Sequence, residues 1–271
     1  SRKRKNIPMT YDVLTQQNAR KTLQRLTGIE WSTWQYLNRN YNKEQFLSDE
    51  DYVKRILDKE DCFLPAFREL EFTFGHITTS STACESIRNG GLMKLACTNK
   101  VTELGLFLSN HDVDINIEQH TLKYNGRTYD ISFGDCPPVH NREEYAAWRV
   151  GRKLYYDYCI CGFLSYSKQP YGGYIHKRPE ILKDMDELLN TDLAAEWVTT
   201  HTPYEIVVRV SADKIVYDGR NSDSEQEKVM NYLMEAYWCS FSDMENVILL
   251  KNDVEIQICD ILNIRPFDMW R

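Results

Sequence analysis

Three short segments of this 271-residue chain gather residue types that can act on a bound molecule. In the first, Phe72, Phe74 and His76 alternate with Thr73 and Gly75, and Thr78 and Thr79 follow. Period-two alternation predicts a strand over Glu71–Thr79. A short helix then carries Ile87 and closes on Gly90, Gly91 and Leu92. An imidazole and two hydroxyls thus sit at a strand-to-helix corner, where unpaired backbone N–H groups can meet a ligand. A histidine alone at such a strand end is equally well served by a backbone carbonyl. In the second segment an apolar strand, Cys159–Tyr166, runs out through Gly162, Phe163, Leu164, Ser165 and Tyr166 into a loop with Gly172, Gly173 and Tyr174. Glycines let backbone approach a ligand, and tyrosine rings can stack on a flat heteroaromatic. The same residues also make an ordinary strand exit. In the third, Glu245 stands directly before the apolar run Asn246–Leu250. Facing a cleft, that carboxylate stabilises a cationic sugar transition state; facing outward, it is a surface acid.

The common phosphate-loop, dinucleotide, zinc-protease and nucleophile-elbow motifs are absent from the sequence. The remaining histidines, His111, His120, His140, His176 and His201, have no metal-ligand spacing, so no metal is expected. Asp112, Asp114 and Glu118 lack the turn glycine and closing glutamate of a calcium loop.

Elements must position these groups, and the composition is that of a folded chain. It is 42% apolar with 17 Tyr, 10 Phe and 6 Trp, enough for one large domain or two modest ones. No run of eighteen apolar residues occurs. A net charge of −7 argues against wholesale binding to a phosphate backbone, the Arg2-Lys3-Arg4-Lys5 run apart. Eight cysteines include no C-x-x-C, and they read as reduced, buried thiols of a cytoplasmic protein.

Residues 1–65 read as a helical front. Thr10 is expected to cap a first helix that ends at Gly28, Trp31–Leu37 a second, and Ser48 to cap a third. Thr82 and Glu85 have capping-box spacing. Helices are expected at 101–108, 143–158, 179–189, 193–200 and 225–237. Strands are expected at 204–210, 214–217, 246–250 and 254–258. Asn125-Gly126 between alternating segments predicts a β-hairpin over 119–132. The fold class is α+β.

Taken together, His76, Thr78, Ile87, Gly91 and Leu92, then Gly162–Tyr166, then Glu245 before an apolar strand, resemble the ADP-ribosyltransferases of the His–aromatic–Glu branch. That branch includes the poly-ADP-ribose polymerases and DarT-like bacterial toxins. The family often has Gly directly after the His, whereas here Gly75 precedes it and Ile77 follows. The resemblance implies a split-sheet catalytic domain over 66–271, with an insertion at about 96–156 that includes the hairpin. It implies NAD as substrate and no metal. His76 would hold the adenosine-side ribose, while the backbone through Ile77, Thr78 and Thr79 binds the nicotinamide amide. Tyr166, Phe163 or Tyr174 would stack on the nicotinamide, beside Ser165. Glu245 would stabilise the oxocarbenium-like transition state, and a protein or nucleic-acid target would supply the nucleophile. Toxin and phage-defence roles are common among stand-alone members. Two other readings stand beside this one: an RNA 2′-phosphotransferase-like enzyme, and a non-catalytic interaction module that docks a regulatory protein through the front helices.

Overall fold

The computed structural model describes residues 8–95, 101–167, 175–217 and 224–268. The chain enters through a strand, β1 (Met9–Asp12), where a helix start was expected. Thr15, not Thr10, caps α1 (Gln16–Thr27) by accepting from the Asn18 N–H, and Gly28 closes it at φ 73°. The reason is non-local: β1 lies parallel beside β2 (Leu70–Ser80), which supplies its backbone partners, with Tyr11 opposite Phe72. Asp12 then fixes the turn into α1, accepting from Leu14 N at 3.1 Å and Asn18 Nδ2 at 3.0 Å. Next come α2 (Trp31–Arg39) and α3 (Asp49–Lys59), the latter capped by Ser48 as its sequence predicts.

After β2, helix α4 (Glu85–Gly90) starts without the expected capping box. Its N-cap is Cys84 at φ 61°, and the Ser80 hydroxyl accepts the Cys84 N–H at 2.8 Å. Gly91 closes α4 at φ 80°; a Cβ there would lie 2.2 Å from the carbonyl oxygen of Ile256, so only glycine lets Leu92 bridge Ile256. Then follow α5 (Glu103–Asn110), capped by Thr102, and a small sheet of β3 (Asp114–Asn116), β4 (Thr121–Tyr124) and β5 (Arg127–Asp130). The β4–β5 hairpin turns on Asn125 at φ 48° and Gly126 at φ 74°, as Asn-Gly requires. The rest of the chain forms α6 (Arg142–Tyr155), β6 (Cys161–Ser165), α7 (Glu180–Leu189), α8 (Leu193–Thr200), β7 (Thr202–Ser211), β8 (Ile215–Val216), α9 (Glu225–Phe241), β9 (Asn246–Leu250) and β10 (Ile261–Pro266). The strand expected at 254–258 does not form. Ile256 alone inserts, and it is β10 that finds a long partner, antiparallel β7.

The chain is mixed α+β and divides into two compact units. The first comprises residues 1–75, 162–170 and 209–249; the second comprises 76–161, 171–208 and 250–271. The division falls within β2, between Gly75 and His76, and within β7, between Val208 and Arg209.

In the first unit β2, β6, β9 and β8 are successive neighbours, with Gly75 opposite Phe163, and β1 lies beside β2. Helix α1 packs along α9. Tyr11, Phe72 and Tyr232 meet edge to face or tilted, with centroids 4.7 to 5.3 Å apart. Each such buried ring contributes about 1.5–3 kcal/mol. In the second unit, β10, β7 and β2 are neighbours. Its core joins Leu104, Leu122, Ile131 and Val150 to Leu182, Met185 and Trp197. The segment expected as an insertion thus shares one core with α7 and α8.

The expectation of uniformly buried cysteines is corrected. Cys84 and Cys239 are buried and Cys62 and Cys159 half-buried, whereas Cys136, Cys161 and Cys259 are exposed. Cys161 opens β6 on its outward face, before the four buried positions that follow. All seven are free; Cys97 lies outside the described residues. Among the described residues no helix is long and apolar enough to cross a membrane.

Candidate active site

Of the residues singled out above, Phe163, Ser165, Tyr166 and Glu245 belong to the first unit, and His76, Ile77, Thr78 and Thr79 to the second. Tyr174 lies outside the described residues.

In the first unit the end of β6 and the start of β9 are tied together. Asn246 donates from Nδ2 to the Ser165 hydroxyl at 2.8 Å, and the Cys239 thiol of α9 donates to the same oxygen at 3.5 Å. Ser165 is buried, so its hydroxyl serves this tie. Half-buried Glu245 stands one residue before Asn246, at the mouth of β9, and the Asn246 tie sets where β9 begins. Phe163 is buried and tilts against Tyr166, with centroids 5.2 Å apart; Tyr166 is half-buried just past the strand end. Gly162 departs from its expected use. Its missing Cβ makes room for Phe74 and the Gly75 carbonyl of the neighbouring strand, not for a ligand.

In the second unit His76 is half-buried, and its Nδ1 lies 2.7 Å from the Cys161 carbonyl oxygen. Burial lowers its pKa, and the hydrogen bond to Cys161 opposes that only in part. At neutral pH the ring is therefore neutral, with Nδ1–H donating to the carbonyl and the lone pair on Nε2. Such a nitrogen can accept from a ribose hydroxyl. Ile77 is buried, and Thr79 accepts from the Trp197 indole N–H at 2.8 Å, which makes that hydroxyl structural. Thr78 is half-buried on the same side of β2 as His76.

A cluster that sequence reading missed closes the end of β2. The Glu103 carboxylate, at the first turn of α5, accepts from Ser80 Oγ at 2.6 Å, Ser81 N at 2.5 Å and Ser81 Oγ at 2.6 Å. The Thr82 hydroxyl approaches it at 3.3 Å, and His201 Nε2 lies 3.3 Å away. His201 stacks on Trp197 with centroids 3.5 Å apart. Burial would raise the Glu103 pKa, but the bonds from Ser80 and Ser81 and the neighbouring His201 outweigh it and hold the carboxyl below its ordinary value. In sequence Glu103 looks like any acid in a helix's first turn; its hydroxyl partners lie more than twenty residues upstream.

A lowered carboxyl pKa stabilises the fold above the unfolded value, about 4.3, and this contribution is lost as pH falls through the folded value. Glu103→Gln should therefore cost about 1–3 kcal/mol at pH 7, with the difference shrinking below about pH 4. Urea unfolding of both chains at the two pH values checks it. A penalty that persists unchanged in acid would mean that packing, not charge, holds the cluster.

Comparison with protein-family models, curated proteins and solved structures finds no match. The second unit holds the neutral imidazole acceptor, and the first unit holds the aromatic strand exit and the half-buried carboxylate. Among the described residues there is no group of three or more His, Cys, Asp or Glu able to hold a metal ion.

Proposed function

We propose that the protein is an NAD-consuming ADP-ribosyltransferase with an ADP-ribosyltransferase-like catalytic core. The observation that supports this reading lies in the first unit: β6 and β9, at whose ends Tyr166 and Glu245 stand, are neighbouring strands. In this reading His76 Nε2 accepts from a hydroxyl of the adenosine-side ribose, and the ring of Tyr166 stacks on the nicotinamide. The Glu245 carboxylate lowers the energy of the positive charge that develops on the nicotinamide-side ribose as the C–N bond breaks. Nicotinamide leaves with the bonding electrons. A nucleophile on a protein or nucleic-acid target then attacks the anomeric carbon; with water in its place the outcome is NAD hydrolysis.

A second reading is a partner-docking module; in the first unit the side chains of Leu47 and Phe63 are exposed, at 95% and 87%. Nicotinamide release from NAD by the purified chain, with and without a cell lysate as target source, separates the two. Release supports the transferase. No release, together with no heat of NAD binding by calorimetry, sinks it and leaves the docking module.

A further inference from the structure

The first unit contains a cavity of about 260 Å³ that none of the groups above uses. Asn231, Glu235 and Trp238 of α9 line it at spacings of four and three residues, one face of the helix, together with the adjacent Tyr232. Tyr217, just past β8, and Glu50 of α3 complete the polar lining, and residues 247–249 of β9 add an apolar wall. The Trp238 indole is held in place by donating to Asp49 Oδ2 at 3.1 Å, and Tyr217 meets Tyr232 edge to face at 6.1 Å.

Glu235 is the unusual member of this lining. The titratable groups that interact with it are Tyr11 of β1 and Cys239 of α9, neither of them cationic, and Tyr232 lies in the same lining. The Tyr11 hydroxyl donates to the Tyr232 carbonyl at 2.9 Å and reaches Glu235 Oε2 only at 3.4 Å. Across the cavity, Glu50 already has a cation of its own, Lys54, at 2.7 Å. Burial pushes the Glu235 carboxyl up to about 7, with the Tyr11 bond opposing in part. Among the described residues no cation pairs with Glu235, and the Trp238 ring stands in the same lining; a half-buried acid beside an aromatic ring can receive an ammonium ion. The volume is below the range of drug-sized ligand pockets, so the ligand is small.

We propose that this cavity binds a small organic ammonium ion, with Glu235 as its counter-charge and the Trp238 and Tyr232 side chains in its lining; the Tyr217 ring already carries Lys228 Nζ, 5.6 Å from its centroid. The cation favours the ionised carboxylate, so binding expels the proton that Glu235 carries below neutrality. With the carboxyl titrating at about 7, affinity should fall about tenfold from pH 8 to pH 6.

Calorimetry with choline, with butylammonium and with the neutral choline isostere 3,3-dimethylbutan-1-ol tests this at constant ionic strength. At least one ammonium should bind the wild-type chain, with the neutral alcohol and the Glu235→Gln chain at least about tenfold weaker. The thermal midpoint of Glu235→Gln at pH 6, where the native side chain is mostly protonated, should match wild type. Three results each overturn the proposal: no binding of either ammonium at millimolar concentration, equal binding of the neutral isostere, or undiminished binding to Glu235→Gln. If that variant fails to fold, the isostere comparison and the pH dependence of the wild-type chain decide between the same outcomes.

Discussion

Glu245→Gln should reduce nicotinamide release from NAD by at least about 100-fold while leaving the chain folded. Glutamine keeps the size and one hydrogen-bonding oxygen of the side chain but removes its charge. If the carboxylate faces the ribose on which an oxocarbenium-like charge develops, that charge is present only in the transition state. The loss then falls on turnover and not on NAD binding. Removal of one such electrostatic contact in a water-excluded site costs about 10²–10³ in rate. Glu245 is half-buried at the start of β9, and the Asn246–Ser165 tie that sets this strand end remains intact in the variant. The unfolding midpoint should shift by less than about 1 kcal/mol. Measured side by side, rate and stability separate the roles. A variant within tenfold of wild type in release would remove Glu245 from the reaction, and a collapsed midpoint would make it a structural residue.

Gly162→Ala should cost about 3 kcal/mol of stability. The new Cβ would lie 2.4 Å from Phe74 Cδ2 and 2.7 Å from the Gly75 carbonyl oxygen. Phe74 is fully buried and the carbonyl belongs to the sheet, so neither can move aside without opening the β2–β6 pair. Gly134→Ala is the matched control. Nothing lies within 4 Å of a Cβ built at Gly134, so it should change stability by no more than about 0.5 kcal/mol. Urea unfolding of the three chains reads the contrast directly. If Gly162→Ala loses less than about 1 kcal/mol, the strands can separate enough to admit a side chain, and the close packing of Phe74 on Gly162 is not a constraint on the fold.

The features legible in the sequence are those settled within a few residues. Asn125-Gly126 must turn a hairpin because both positions adopt positive φ, and they do so. Ser48 caps α3 with its own side chain, Gly28 ends α1 in the left-handed region, and the apolar run after Glu245 is a strand. What depended on distant partners was not legible. Residues 9–12 are a strand only because β2 lies beside them. Thr82 leaves its capping box because Glu103 draws the hydroxyls of Ser80, Ser81 and Thr82 to itself. Val254–Ile258 alternates yet places only Ile256 in a bridge, while Ile261–Pro266 becomes the strand because β7 pairs with it. The candidate site divides the same way. The types and local spacing of His76, Tyr166 and Glu245 are properties of the sequence, readable as chemistry before any fold is known. That β2, β6 and β9 stand in consecutive order, that Gly162 is reserved for Phe74, and that Glu235 lines a cavity with no cation paired to it among the described residues were decided by tertiary structure alone. Caps and turns are bonded within one turn of chain. Strand order, close backbone approach and the desolvation of a carboxyl depend on segments that meet only after the chain has folded.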